Sequence, residues 1–570
     1  MNLKKPSRRE FILRLSSVSA VMASGSILSA CGGGDDPLVR FDYGVASGDP
    51  LSDRVILWTH ARIENSEDSA TLTYEVATEP AFADIKSSGS ATASAATGYT
   101  AKADAPGLAA NTEYYYRFRS GQWTSAVGRT RTLPQGAVSE VKLAVFSCAN
   151  YPAGFFNPYA EASRSDAQYA IHLGDYLYEY SATGYASENS AQLNRTSDPE
   201  NEIITLADYR KRYAQYRSDV DLRALHGRMP MIAVWDDHEV ANDGYKDGAQ
   251  NHTEGAEGTF TARRAAAMQA YHEWLPIRTG TDRARIYRSF NFGNLMSLHM
   301  LDTRFLARDK QVDFTELLNS ATATAAQTRL FSSTRQMLGA EQQSWLLGQV
   351  AASSATWQVL GQQVLMARME FPVSVLASLN PTDTSPAAVA AGQKAVTDYI
   401  TAKMTPANLR TATQQGLLNT SLNPKLGYNL DAWDGYPVAR EILLASIATM
   451  NKKLVVLAGD THNAWHSNLS LAGFLDPAQA NLKVGEEFAT PGVSSPGLEA
   501  SLSLPPAQVK SIFESVVDDL KWMDPSRRGY LKMTFTPSQA KGEWVFVSTV
   551  ASRTYTVATP AAAETRVFGQ

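Results

Sequence analysis

Cys148 closes an apolar run, Val141-Lys142-Leu143-Ala144-Val145-Phe146-Ser147-Cys148, and three more clusters follow the same plan. They are His172-Leu173-Gly174-Asp175-Tyr176-Leu177-Tyr178, Trp235-Asp236-Asp237-His238-Glu239 and Gly459-Asp460-Thr461-His462. Each sits just past a stretch that reads as a buried strand. A thiol, several carboxylates, phenols and imidazoles gathered at strand ends make a set suited to metal ions.

The individual residues narrow the chemistry. Gly174 lets the backbone turn tightly, so that Asp175 can present two oxygens and bridge two cations. Tyr178 lies three residues beyond Asp175, and a phenolate is a hard anionic ligand that favours a ferric ion over a divalent one. Taken singly, each residue has a plainer reading: Gly174-Asp175 is an ordinary turn, Tyr178 is one of 24 tyrosines packing a core, and Cys148 is an inert buried thiol. It is the four clusters together that favour a site.

The N-terminus bears on the compartment. Ser7-Arg8-Arg9-Glu10-Phe11-Ile12 precedes a weakly apolar run through Ala30, the pattern of a Tat export signal. That run falls short of the roughly 20 apolar residues a membrane span needs. Leu28-Ser29-Ala30-Cys31 resembles a bacterial lipobox, with Cys31 as the lipidated first residue of the mature protein; a plain cleavage site is the alternative. A Gly-rich linker over 32–40 follows. The expectation is a periplasmic or membrane-anchored lipoprotein, exported by the Tat translocase and touching the membrane through its lipid alone. The chain has two cysteines, so a lipidated Cys31 leaves Cys148 alone. In an oxidising compartment an unpaired thiol is a liability unless buried or metal-bound.

The elements that must position these clusters divide the chain. Its 570 residues allow more than one domain, and a net charge of −5 with no basic run after the signal argues against a stable nucleic-acid partner. Residues 41–134 alternate apolar and polar in short runs such as Val55-Ile56-Leu57-Trp58-Thr59-His60, split by Gly, Pro and Asn. They predict an N-terminal all-β sandwich of the fibronectin III or immunoglobulin kind. From 138 to 535, strand-like runs alternate with helical stretches, predicting an α/β domain of layered sheets flanked by helices. Ligands in such sheets bind beyond the carboxyl ends of strands, where all four clusters fall. Residues 536–570 read as a C-terminal β or tail segment. Stretches 313–330 and 380–425 read as insertions, helical in parts, on the surface or over the site.

Trp235-Asp236-Asp237-His238-Glu239 resembles the Gly-Asn-His-Asp/Glu signature of binuclear metallophosphatases, with Asp237 in place of the Asn. Gly459-Asp460-Thr461-His462 resembles their Gly-His-x-His end motif, with Asp460 in place of the first His. Together with the signal and with Phe41–Pro50, Tyr209–Arg217, Leu301–Arg304 and Trp433–Pro437, these stretches resemble the PhoD-type alkaline phosphatases. The resemblance implies a metallophosphatase-like α/β fold behind a small β domain. It also implies a ferric ion (Fe3+) held by Cys148, Asp175, Tyr178 and His462, and Ca2+ held by Asp237 and Asp460, with Asp175 bridging; other divalent metals are the alternative. His238 would face the phosphate as general acid or transition-state donor, and Arg304, or less favourably Arg210, would clamp it. Gln362 stands near the place of a further ligand, and His466 is either supporting or unrelated. A metal-bound hydroxide would then hydrolyse phosphate monoesters and diesters. The alternatives are a phosphodiesterase or phospholipase D-like enzyme, and a lipid-anchored binding protein without catalysis.

Overall fold

Strand Lys453–Ala458 shows why an unbroken apolar run was needed. Val455 and Leu457 face one core with Val145, Met296, Leu298, Val359, Phe488 and Trp544, whereas Leu454, Val456 and Ala458 face another with Leu346, Val350, Leu443 and Ile447. The period of two thus sorts neighbouring side chains onto opposite sides, and both sides are buried. The first core lies between two sheets; the second lies under helices Gly339–Ala352 and Pro437–Ala448.

In this computed structural model the described residues are 38–379, 385–502, 504–558 and 564–569, and those from Val39 onward form one compact unit. The Tat signal, the lipobox with Cys31 and most of the linker lie outside them. One sheet has nine strands, in the order 565–568, 540–546, 529–535, 141–146, 169–172, 231–233, 45–48, 55–60 and 100–105. The other has seven, in the order 288–292, 296–300, 357–361, 453–458, 483–489, 464–470 and 520–524. Strands 141–146, 169–172 and 231–233 run parallel, as do 296–300, 357–361, 453–458 and 483–489. The carboxyl ends within each set therefore fall on one edge. A bridge between Ser147 and Gly492, with Val493 N–H donating to Ser147 O at 3.0 Å, ties the two edges together.

The N-terminal region has its own core, in which Val55, Leu57, Ala101 and Ala103 face Leu72, Val76, Tyr116 and Phe118. One layer is the antiparallel sheet of strands 128–131, 113–120, 70–77 and 85–93. The other layer, strands 45–48, 55–60 and 100–105, continues the nine-stranded sheet through the pairing of Gly48 with Met231. Gly48 is required there, because a Cβ would lie 2.3 Å from Pro276 O and 2.5 Å from Met231 O. At the other end, strands 540–546 and 565–568 extend the same sheet past the boundary expected at 535. Segment 313–330 forms helices Phe314–Leu318 and Ala323–Leu330, whose Leu317, Ala326 and Leu330 pack on Leu426 and Leu430. Among the described residues, no helix is long and apolar enough to cross a membrane.

Asp49 fastens the N-terminal layer. Its buried carboxylate takes a bidentate pair from Arg288 (2.7 and 2.9 Å) and the Arg278 N–H at 2.7 Å. Removing one partner of a buried pair costs roughly 3–5 kcal/mol, and the partial exposure of Arg288 puts this pair at the low end. Asp49→Ala is therefore expected to lower the first urea-unfolding transition by about 3 kcal/mol, read by tryptophan fluorescence. An unchanged midpoint would remove Asp49 as the fastening.

Candidate metal centre

The four clusters meet where the chain leaves its strands, and there the backbone is strained. Cys148, Asp175, Asp460 and His462 have φ of 60°, 55°, 67° and 62°, the left-handed region that side chains with a Cβ rarely adopt. Hydrogen bonds hold these turns. Cys148 N–H donates to Gly174 O, and Ala149 N–H to Asp175 O at 2.9 Å. Cys148 O accepts from Ser495 Oγ at 2.9 Å. The buried Glu239 carboxylate collects the N–H groups of Asp175 (3.0 Å), Tyr176 (2.6 Å) and Asp236 (2.7 Å), so one side chain sets two loops. Gly174 lies against this junction: a Cβ there would come within 2.3 Å of Asp236 Cβ.

Three sets of ligand atoms result, each within 4.8 Å: Cys148, Asp175 and His462; Asp175, Asp237 and His238; and Asp236, Asp237 and Asp460. Asp175 joins the first to the second, and Asp237 joins the second to the third. Tyr178 OH donates to Asp175 Oδ2 at 3.0 Å and lies 3.1 Å from His462 Nε2. His462 Nδ1 sits 2.6 Å from Pro496 O; a carbonyl only accepts, so the proton belongs on Nδ1 and the Nε2 lone pair faces the site. His238 Nδ1 is likewise 2.7 Å from Glu179 Oε2, while Glu179 Oε1 is fixed by Asn242 N–H and Asn251 Nδ2.

Burial sets the electrostatics. It pushes the Asp175 and Asp460 carboxyls well above their usual range, and Asp236 to about 7, with neighbouring carboxylates adding to the rise and Arg304 opposing it at Asp236 and Asp460. The Cys148 thiol and Tyr178 phenol are raised by burial and by Asp175, and burial lowers His462 to about 3. Burial would lower His238 too, but Glu179, Asp237 and Asp175 outweigh it and raise the imidazole well above its usual value. Asp175 Oδ1, Asp236 Oδ2 and Asp237 Oδ1 are buried with no hydrogen-bond partner. Clustered carboxylate oxygens without a hydrogen-bond donor, one of them with only Arg304 at 3.6 Å, call for further positive charge, so the residues fit cations. The first set offers sulfur, nitrogen and oxygen; the third offers oxygen alone, as a hard cation prefers.

The geometry revises the expectations for Arg304, Gln362 and Arg210, and it leaves His466 engaged away from the ligand groups. Arg304 has no guanidinium face free for phosphate: it is fully buried and binds Asp236, Asp431 and Asp460, with Asp237 at 3.6 Å. Gln362 is spent within the core, its Nε2 on Val364 O and its Oε1 on Trp433 Nε1. Arg210 pairs with Glu273 at 2.7 Å, and His466 with Glu486 at 2.6 Å. Asp236 as a candidate ligand, Glu179 and Asp431 as partners, and loop 490–497 emerge only in the fold. Glu179 directly follows Tyr178, and Asp431 stands two residues before the Trp433–Pro437 stretch; loop 490–497 has no acidic or imidazole residue to flag it.

Comparison with known proteins agrees over nearly the whole chain. Residues 143–544 match the family model described as PhoD-like phosphatase, and residues 34–134 match its N-terminal domain. Alkaline phosphatase D of Bacillus subtilis (strain 168) is 34% identical over 519 residues, covering 88% of this chain and 77% of that protein. The solved structure titled "Structure of PhoD" aligns with a TM-score of 0.73 at 31% identity, covering 95% of this chain and 92% of that one.

Asp236 gives a pH signature. Its carboxyl is raised from 3.8 to about 7 in the folded, metal-free chain. The folded state thus holds a proton that the unfolded state releases, and stability present below about pH 4 is lost as pH rises through 7. A bound cation removes that penalty. The gap in melting temperature between metal-loaded and chelator-treated protein should widen from pH 5 to pH 8, measured by differential scanning fluorimetry. A gap that stays constant or narrows would contradict the assignment.

Proposed function

The chain belongs to the PhoD-like phosphatase family, and from that premise we propose that it is an exported alkaline phosphatase whose centre pairs a ferric ion with calcium. Membership makes it a phosphoric ester hydrolase; its metals, its range of esters and its export are what we infer. One observation carries the reading: Cys148, Asp175 and His462 share Asp175 with a second group, and that group shares Asp237 with an all-carboxylate third.

Cys148, Asp175, Tyr178 and His462 would hold the iron, and Asp236, Asp237 and Asp460 the calcium, with Asp175 between them. When bound, the cations supply charge that neutralises the ester oxygens and lowers the pKa of water. The chain's own groups do the rest. His238, kept protonated by Glu179, offers its proton to the departing alcohol oxygen as the bond from phosphorus to that oxygen breaks and a water oxygen takes its place on phosphorus. Arg304 keeps three carboxylates apart and aimed. Monoesters are the first substrate class, with diesters admitted by the same chemistry. Arg8-Arg9 and the Leu28–Cys31 stretch support export through Tat and a lipid on Cys31.

The test is elemental analysis of exported protein together with phosphate release from a nitrophenyl monoester. Iron and calcium with a visible tyrosinate band, both band and iron lost in Tyr178→Phe, are expected; a colourless zinc protein of full activity would overturn the iron assignment. Glu179→Gln is expected to lower kcat about 10- to 100-fold, as loss of a supporting partner does. Without the carboxylate the His238 pKa falls, so the alkaline limb of the kcat profile should move to lower pH. An unmoved limb would remove His238 as the acid.

A further inference from the structure

Loop 490–497 brings a hydroxyl to the centre. Ser495 is fully buried, and its Oγ lies 2.8 Å from the Tyr178 oxygen and 2.9 Å from Cys148 O. The loop around it is held at three points. Gly492 N–H donates to His462 O at 3.0 Å, Val493 N–H to Ser147 O at 3.0 Å, and Ser494 Oγ to Asn150 O at 2.7 Å. Ser495 therefore stands on a fixed backbone, and the direction of its hydroxyl proton is what remains to be chosen.

A hydroxyl has one proton to give, and two acceptors compete for it. Cys148 O does not depend on that proton, since the N–H groups of Ser494 and Ser495 reach the same oxygen at 3.4 and 3.3 Å. The Tyr178 oxygen has no such reserve. Its other close neighbours are Asp175 Oδ2 at 3.0 Å and His462 Nε2 at 3.1 Å. His462 carries its proton on Nδ1, towards Pro496 O, and an ionised Asp175 can only accept. Among the described residues, Ser495 is thus the side chain in reach that can donate to a Tyr178 phenolate. An anionic acceptor outcompetes a carbonyl, because charge-assisted hydrogen bonds are roughly twice as strong as neutral ones. We propose that Ser495 is a positioning residue for the ferric site, its hydroxyl turning from Cys148 O to the Tyr178 oxygen when Tyr178 serves as a ligand. The bond fixes the ring and limits the charge that the phenolate passes to the ion. This rests on the ferric reading above and adds to it a donor that the reading leaves unassigned.

The experiment uses the full-length exported protein with its own metals and follows its visible spectrum. Taking a donor from a phenolate raises the energy of its electrons. The tyrosinate-to-iron band of Ser495→Ala should therefore move to longer wavelength by about 10–30 nm, the size set by a hydrogen bond to a charged group. Iron should also pass to a chelator about 10-fold faster, as when a ligand's outer partner is lost. Ser495→Thr keeps the hydroxyl and should keep the band in place. In the unsubstituted protein, the iron–phenolate modes in resonance Raman should differ between light and heavy water; this measurement needs no variant and decides should either variant fail to fold by circular dichroism. A band that stays put in Ser495→Ala, with Raman modes indifferent to heavy water, would overturn the role of Ser495 and leave the ferric reading standing. A band that moves equally in Ser495→Thr would trace the shift to packing and overturn the role as well. An unsubstituted protein without a tyrosinate band would overturn the ferric reading and Ser495's part in it together.

Discussion

The repulsion among buried carboxylates is the constraint around which this molecule is built. Asp175, Asp236, Asp237 and Asp460 are gathered into overlapping groups under 4.8 Å across. At an effective dielectric of about 20, two unit charges about 4 Å apart repel by roughly 4 kcal/mol. No hydrophobic packing offsets several such terms at one point, so the fold must provide positive charge or protons. It provides both. Arg304 brings one fixed cation, while burial lets protons remain on the carboxyls until metal ions replace them.

The backbone bears the cost of that gathering. Four of the proposed ligands sit at positive φ, a conformation worth avoiding by about 1–3 kcal/mol per residue. The strain persists because the surroundings over-determine it. Glu239 ties the Asp175 and Asp236 loops together, and the 490–497 loop clamps Cys148 through Ser495 and orients His462 through Pro496. Both sheets end at this junction, so the strands supply the stiffness that the turns draw on. The Ser147–Gly492 bridge then links packing between the sheets directly to ligand placement.

Much of this was legible in the sequence, for a physical reason. A strand buried on both faces is an unbroken apolar run, and its carboxyl end in a parallel sheet is where polar residues gather; Lys453–Ala458 followed by Gly459-Asp460 shows both. Candidate donors also stand out as a set, since Cys148, Asp175 and Tyr178 follow apolar runs in the sequence and come together in the fold. Partnership is harder to see. Arg304 and Asp431 are 127 residues apart, and nothing local says that one guanidinium will be consumed by carboxylates from three loops. The same holds for the N-terminal layer: its strands alternate as a sandwich should, but the pairing of Gly48 with Met231 depends on a contact across 183 positions.

The consumption of Arg304 also bears on which cation suits the second group. An oxygen-only set of three carboxylates would carry three negative charges, and a divalent ion would leave one uncompensated. Arg304 contacts Asp236 and Asp460 and supplies that remaining charge, while Asp431 and Arg308 balance each other on its far side. With the arginine in place, a divalent cation brings the group to neutrality and a trivalent ion would overshoot. Asp460 and Asp237, standing where the resemblance has nitrogen and amide ligands, are thus one half of a substitution whose other half is a buried arginine. The group's donors are oxygens alone, which suits a hard cation. Sulfur, phenol and imidazole gather around Asp175, which also belongs to the neighbouring group with Asp237 and His238, so one carboxylate stands between donor sets of different chemical character.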